Sequence, residues 1–155
     1  MEKIKSLLNS LLEWFMGVVN TKTMIAIKDG FLLTMPISLV GSLFLLIANF
    51  PIPGWDSFMA SVFGANWQVP LNQVVGSSFD VLAIVSVLAI SYIYAKNDDV
   101  DPISAALLSL ISFLIVTDSF TLADGVVVSG VIPKAWTGGN GVITAIIISV
   151  VCAKV

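Results

Sequence analysis

The sequence predicts an all-α integral membrane protein with four transmembrane helices. An amphipathic interfacial helix precedes them, and a small extracytoplasmic β-hairpin lies between the third and the fourth. Three observations predict this. Of the 155 residues, 57% are hydrophobic and only 11% are charged, against about 25% charged in soluble domains. The mean hydropathy is +1.02. The run Phe31–Phe50 holds twenty residues without a charge, and twenty residues at about 1.5 Å each just cross a hydrocarbon core of roughly 30 Å.

Composition also excludes function classes. The net charge of −3 comes with no basic stripe, so nothing points to nucleic acid. Histidine is absent, which removes a His-based metal site, a Ser–His dyad and a phosphohistidine carrier. Cys152 is the single cysteine, so no intrachain disulfide is possible, and in its apolar run it reads as an inert thiol. No cofactor or metal is expected.

Along Glu2–Val19, Ile4, Leu7, Leu8, Leu11, Leu12 and Phe15 recur at helical spacing. Glu2, Ser6, Asn9, Ser10 and Glu13 take the other face. Such a helix lies in the membrane surface with Trp14 at headgroup level, or packs against protein. Polar interruptions and the lack of a small-residue cleavage site argue against a signal peptide. Residues 1–24 thus form the interfacial helix and link, and 25–155 the transmembrane part.

The first span is placed at about 29–50, with Lys28 and Asp29 closing one end and Pro51, Pro53 and Trp55 the other. Pro36 either only kinks it or serves as a hinge, and Thr34 and Ser38 stand ready to bond the carbonyls that proline frees. Gly41–Ser42 allows a neighbouring helix close. Pro51–Pro70 reads as an interfacial loop with a short helix around Asp56–Phe63. The second span, about 76–95, extends the fifteen apolar residues Val81–Ala95 backwards, putting Asp80 near the outer shoulder.

The polar turn Lys96–Asp101 leads to Pro102, which suits a first helical turn because its missing N–H is not needed there. The third span covers about 102–120. Ala105, Ala106, Ser109 and Ser112 give it a small-residue side for helix–helix approach. Val-rich pieces in Gly125–Pro133, broken at Ser129–Gly130, predict the hairpin. A glycine turn, Thr137–Gly141, opens the fourth span, about 140–155. That span ends while still apolar, as if the chain were the front of something longer.

Lysine placement orients the chain. With the N-terminus cytoplasmic, Lys3, Lys5, Lys22, Lys28, Lys96 and Lys154 lie inside and only Lys134 outside, as the positive-inside rule requires. The four tryptophans, Trp14, Trp55, Trp67 and Trp136, all fall at predicted interfaces.

Several residues carry two readings. Lys28 and Asp29 either anchor the span at the phosphate level or dock a partner or moving domain. Asp80 either caps the second helix through the N–H groups of Leu82 or Ala83, or lines a polar route or pairs across helices. Gly139 and Asn140 form a simple helix-start turn, or offer N–H groups and an amide to sugar hydroxyls.

In the succession IAIKDGFLLTMPISLVGSLFLLI, FPIPGW, an aspartate opening the second span, DPISAALLSL and GVITAIII, the charged step with FLLTMP and the FPIPGW loop are the specific parts and the apolar runs are not. The succession resembles the N-terminal part of the membrane permease (IIC) component of the bacterial phosphotransferase system, in the lactose/cellobiose/chitobiose family. The likeness covers essentially the whole chain and about the first third of a family member. Two departures stand out: Lys28 where arginine is common, and the looser turn TGGNG.

The resemblance implies a plasma-membrane protein that is all-helical and dimeric. It implies a permease that moves a sugar, usually a disaccharide, inward by alternating access. A IIB subunit, charged through IIA, then phosphorylates the sugar. In that family the N-terminal helices form the dimerisation scaffold. The C-terminal half holds most sugar-binding and catalytic residues, including a histidine and a glutamate. This chain is therefore expected to be a scaffold that is not catalytic alone. The alternative is a truncated membrane interaction module or surface receptor without transport activity.

Overall fold

A computed structural model describes residues 16–17, 20–123 and 126–153. The predicted N-terminal surface helix and Lys154 lie outside the described residues, except that Met16 and Gly17 are helical.

Helix α1, Lys22–Ala48, runs for 27 residues. The Thr21 side chain caps it by accepting the Met24 N–H, two turns before the predicted start at 29. Lys28 and Asp29 therefore lie within the helix rather than at its mouth. Neither residue type halts a helix, so the charge step was a poor boundary signal. Pro36 stays inside α1. Thr34 donates to the Phe31 carbonyl (2.8 Å) and Ser38 to the Thr34 carbonyl (3.3 Å). Neither hydroxyl reaches Leu32, whose carbonyl the proline frees, because each bonds one turn back from its own position.

At the far end Asn49 closes α1 on the Leu45 carbonyl through its backbone N–H and its side-chain amide. The Trp55 indole N–H then donates back to Ile47 (2.9 Å), while its ring sits 5.3 Å from Phe50. Helix α2, Trp55–Phe63, buries none of its residues. Gln68 opens α3, Gln68–Phe79, and its amide bonds both Ala48 O (3.1 Å) and Asp56 (2.9 Å).

A break at Asp80–Val81 separates α3 from α4, Leu82–Asn97. The second span was expected at about 76–95; helix instead begins at Gln68, because α3 is held along α1 and Pro70 fits its first turn. Helix α5, Pro102–Val116, is capped by Asp101, which accepts the Ser104 N–H (3.0 Å). Strands β1, Phe120–Ala123, and β2, Val126–Ser129, pair antiparallel with Phe120 opposite Ser129. The predicted hairpin was centred on Ser129–Gly130. Gly130 instead ends the ladder at φ +78°, its N–H donating to Ser119 O (2.9 Å). The short α6, Lys134–Thr137, and a 3-10 turn, Gly139–Gly141, lead into α7, Val142–Cys152.

Two helical stretches, Lys22–Ala48 and Gln68–Asn97, are long and apolar enough to cross a membrane, while Pro102–Val116 and Gly139–Cys152 are shorter. Helix α4 is the hub, packed by α1, α5 and α7, and α3 lies along α1. Ala83, Val87, Phe113 and Ala145 form the main core with Ile84, Leu110 and Ile148 against them. The small side of α5 is buried at Ala105, Ala106 and Ser109. Close approach depends on glycine: a Cβ at Gly41 would fall 2.7 Å from Ser78 Cβ, and one at Gly30 2.9 Å from Ile90 Cα.

Candidate functional site

The charged group that the fold places most distinctively is Asp80. It sits between α3 and α4 in helical geometry, its N–H bonded to Gly76 O. Side chains of helical residues lean toward the preceding turn. The carboxylate accordingly lies over Gly76 and meets the Lys134 ammonium at 3.1 Å. It does not cap α4: Val81 occupies that position, and no side-chain hydrogen bond closes the helix start. The cap reading is thereby corrected, and the cross-element pair stands.

Asp80 and Lys134 line a recess of about 360 Å³ with Asn72, Gln73, Ser77 and Thr137. Asn72, Gln73, Gly76, Ser77 and Asp80 are spaced so as to share one face of α3. That periodicity was present in the sequence, but Asn72 and Gln73 lay between the predicted loop, 51–70, and the predicted span, 76–95. Lys134 was counted only for orientation.

The other predicted residues do not join this cluster. Gly139 and Asn140 are exposed in the 3-10 turn and do not line the recess. Gly141 beside them is buried, and a Cβ there would strike Trp136 O at 1.7 Å, so the turn is packed tightly under α6. Lys28 and Asp29 pair with each other at 3.3 Å near the opposite end of α1. Both side chains are more than a third exposed, where such a pair contributes little in water. At that same end Lys22 bonds Asp98, tying α1 to the turn after α4. No group of three or more His, Cys, Asp or Glu side chains suited to a metal ion occurs among the described residues.

Residues 28–155 match the family profile described as phosphotransferase system, EIIC. The chain belongs to the EIIC family. EIIC proteins are membrane-embedded, which fits the long apolar helices described above. The chain is 38% identical over 136 residues to the cellobiose-specific EIIC component of Geobacillus stearothermophilus, covering 84% of this chain and 30% of that protein. It is likewise 38% identical over 136 residues to the lichenan permease IIC component of Bacillus subtilis (strain 168), with the same shares. Among solved structures it is similar to ChbC, the IIC component of the N,N'-diacetylchitobiose-specific phosphotransferase system. The TM-score is 0.85 and the identity 36%, over 92% of this chain and 34% of that transporter. The chain thus spans about a third of the length of the relatives it matches.

Proposed function

We propose that the chain is the scaffold and dimerisation part of a phosphotransferase-system permease for a cellobiose- or chitobiose-type disaccharide. Residues 25–155 form the scaffold. The sugar passes inward across the plasma membrane and is phosphorylated by IIB, which IIA recharges. The sugar-handling groups are supplied by sequence beyond the homologous portion present here.

The observation that carries this reading is the match of 92% of the chain to only 34% of ChbC. That partial but close superposition supports the chain's being a structural portion of a transporter. The exposed stripe Leu32, Met35, Leu39, Leu43 and Leu46 along α1 supports a lipid- or partner-facing surface. Lys28 and Asp29 stand at the cytoplasmic side of this scaffold, where they anchor the span, and Asn140 and Gly139 at the far side.

The test is complementation in a host lacking its own cellobiose permease but retaining IIA and IIB. Co-expressed with the remaining two-thirds of a cellobiose EIIC, the chain restores phosphorylation-dependent cellobiose uptake, and alone it does not. Uptake that fails in every combination, with both pieces present in the membrane, overturns the proposal. The exposed apolar stripe on α1 admits a second reading, a non-transporting interaction module. That module would lower the activity of an intact EIIC on co-expression instead of completing a broken one.

A further inference from the structure

Packing fixes the depth of the Asp80 recess. Gly41 meets Ser78, and Gly30 meets Ile90, so α1 and the α3–α4 pair run antiparallel in known register. Gly41 lies seven residues from Ala48, or about 10 Å below the outer end of α1. Asp80, two residues past Ser78, is roughly 3 Å deeper still. Gly138 packs on Phe79 O and Asp80 Cα, and Gly141 on Ala83, so α6 and the start of α7 lie at this same level. The end of α5, at Val116 and Thr117, lines a small cavity with Trp136 and Gly141.

Helices α5 and α7 therefore stop well short of the outer end of α1, and α3 rises beside a floor. The length of α5 agrees: 15 residues give about 22 Å, less than a bilayer core. The side of α3 above that floor is polar, carrying Asn72, Gln73 and Ser77, all exposed. Asp80 and Lys134 at the bottom keep 37% and 79% of their side-chain surface open. Facing lipid at this depth, an aspartate or a lysine would still be costly on insertion scales, though less than at the bilayer centre. Water or a polar ligand avoids that penalty.

We propose that this recess is a water-filled outer vestibule that binds a neutral polyhydroxylated ligand, the disaccharide itself, before it reaches the transport site. The lining argues for that class. Two amides and the Ser77 hydroxyl both donate and accept, matching sugar hydroxyls. Asp80 and Lys134 cancel each other's charge and leave no reason for an ion to settle. The inference rests on the permease reading and on its orientation.

Cysteine accessibility in the protein as it stands in its host membrane tests it. In a Cys152→Ala background, Ser77→Cys and Asn72→Cys are exposed to a membrane-impermeant methanethiosulfonate cation from outside, with and without millimolar cellobiose. Both sites label, and cellobiose slows the reaction several-fold, whereas an equal concentration of sodium chloride does not. Leu43→Cys, exposed on α1 at a similar depth, stays unlabelled. If the Ser77→Cys protein does not accumulate, Asn72→Cys is read alone.

Absence of outside labelling, meaning a recess filled by protein or lipid, overturns the vestibule. So does labelling that cellobiose leaves unchanged. Cellobiose uptake by the complemented membranes is measured in parallel. Intact uptake without protection sinks the vestibule and leaves the permease reading standing, while loss of uptake in wild-type membranes sinks both. Asn97→Cys must label only from the cytoplasmic side, and outside labelling there overturns the orientation.

Discussion

Ser149 and Ser109 are both fully buried, in α7 and α5, and differ in what their hydroxyls meet. Ser149 Oγ lies 2.6 Å from Ala145 O and 3.2 Å from Val87 O, so its proton is shared within α7 and across to α4. Ser109 Oγ is the buried side-chain polar atom without a hydrogen-bond partner among the described residues. Ser149→Ala should therefore destabilise by about 1 kcal/mol, the scale of a hydrogen bond between membrane helices. Ser109→Ala should be neutral or stabilise by up to about 1 kcal/mol, since it removes an unsatisfied group. Thermal unfolding in detergent micelles measures both, and equal losses in the two variants would contradict the hydrogen-bond assignment.

Asp101, outside the spans, adds a pH effect. The Ser104 hydroxyl, and next its backbone N–H, donate to the Asp101 carboxylate and hold its pKa below the ordinary carboxylate range. A depressed folded-state pKa means that the cap's stabilisation is complete above the unfolded value of about 3.9. It is lost as pH falls through the folded value. Asp101→Ala should lower the melting temperature at neutral pH, and the gap to wild type should close in strong acid. Asp101→Asn should keep most of the cap. A gap that widened in acid would contradict this sign.

At the scale of elements, the glycine contacts decide how α1 meets α3 and α4. Gly30→Leu would drive a side chain into the Ile90 backbone, and Gly41→Leu into Ser78 and Phe79. Overpacking of this kind costs about 1–3 kcal/mol. Both variants should lose stability comparably, because the Ile90 Cα and the Ser78 Cβ are fixed to the backbone and cannot rotate aside. Resistance to proteolysis in micelles would report the loosened α1, and a Gly30→Leu variant as resistant as wild type would refute the packing.

The same elements show how much of the fold was legible. The uncharged run Phe31–Phe50 marked α1, and Pro102 marked the start of α5. The part of α3 before residue 76 was missed because its amides and proline do not read as a span from hydropathy alone, while its last turn fell within the expected second span. Its period appears only once the polar residues are read as a face. The hairpin was displaced because Gly130 resembles a turn centre, whereas its positive φ ends a strand. Asp80 was recognised as special from its setting, but its partner Lys134 lies 54 residues on, a juxtaposition that no local pattern encodes.

For the whole molecule, orientation is the open proposal and lysine distribution its basis. A fluorescent reporter fused after Val155 should mature in the cytoplasm, and alkaline phosphatase fused there should stay inactive. The reverse pair of results would invert the topology and move the Asp80 recess to the cytoplasmic side. Family membership follows from the match over residues 28–155. The site residues follow only from the packing.

The central position of α4 also bears on how such a protein is made. Helix α4 leaves the ribosome before α5 and α7, yet its buried face is completed by Phe113 from the one and Ala145 from the other. The early pair, α1 with α3–α4, is long enough to partition into the bilayer by itself. The two later helices join it afterwards, so α4 serves as their template. The bond from Ser149 to the Val87 carbonyl needs α7 to be made first. A stalled nascent chain ending before residue 142 should thus hold α4 with one flank uncovered, open to capture by insertion chaperones.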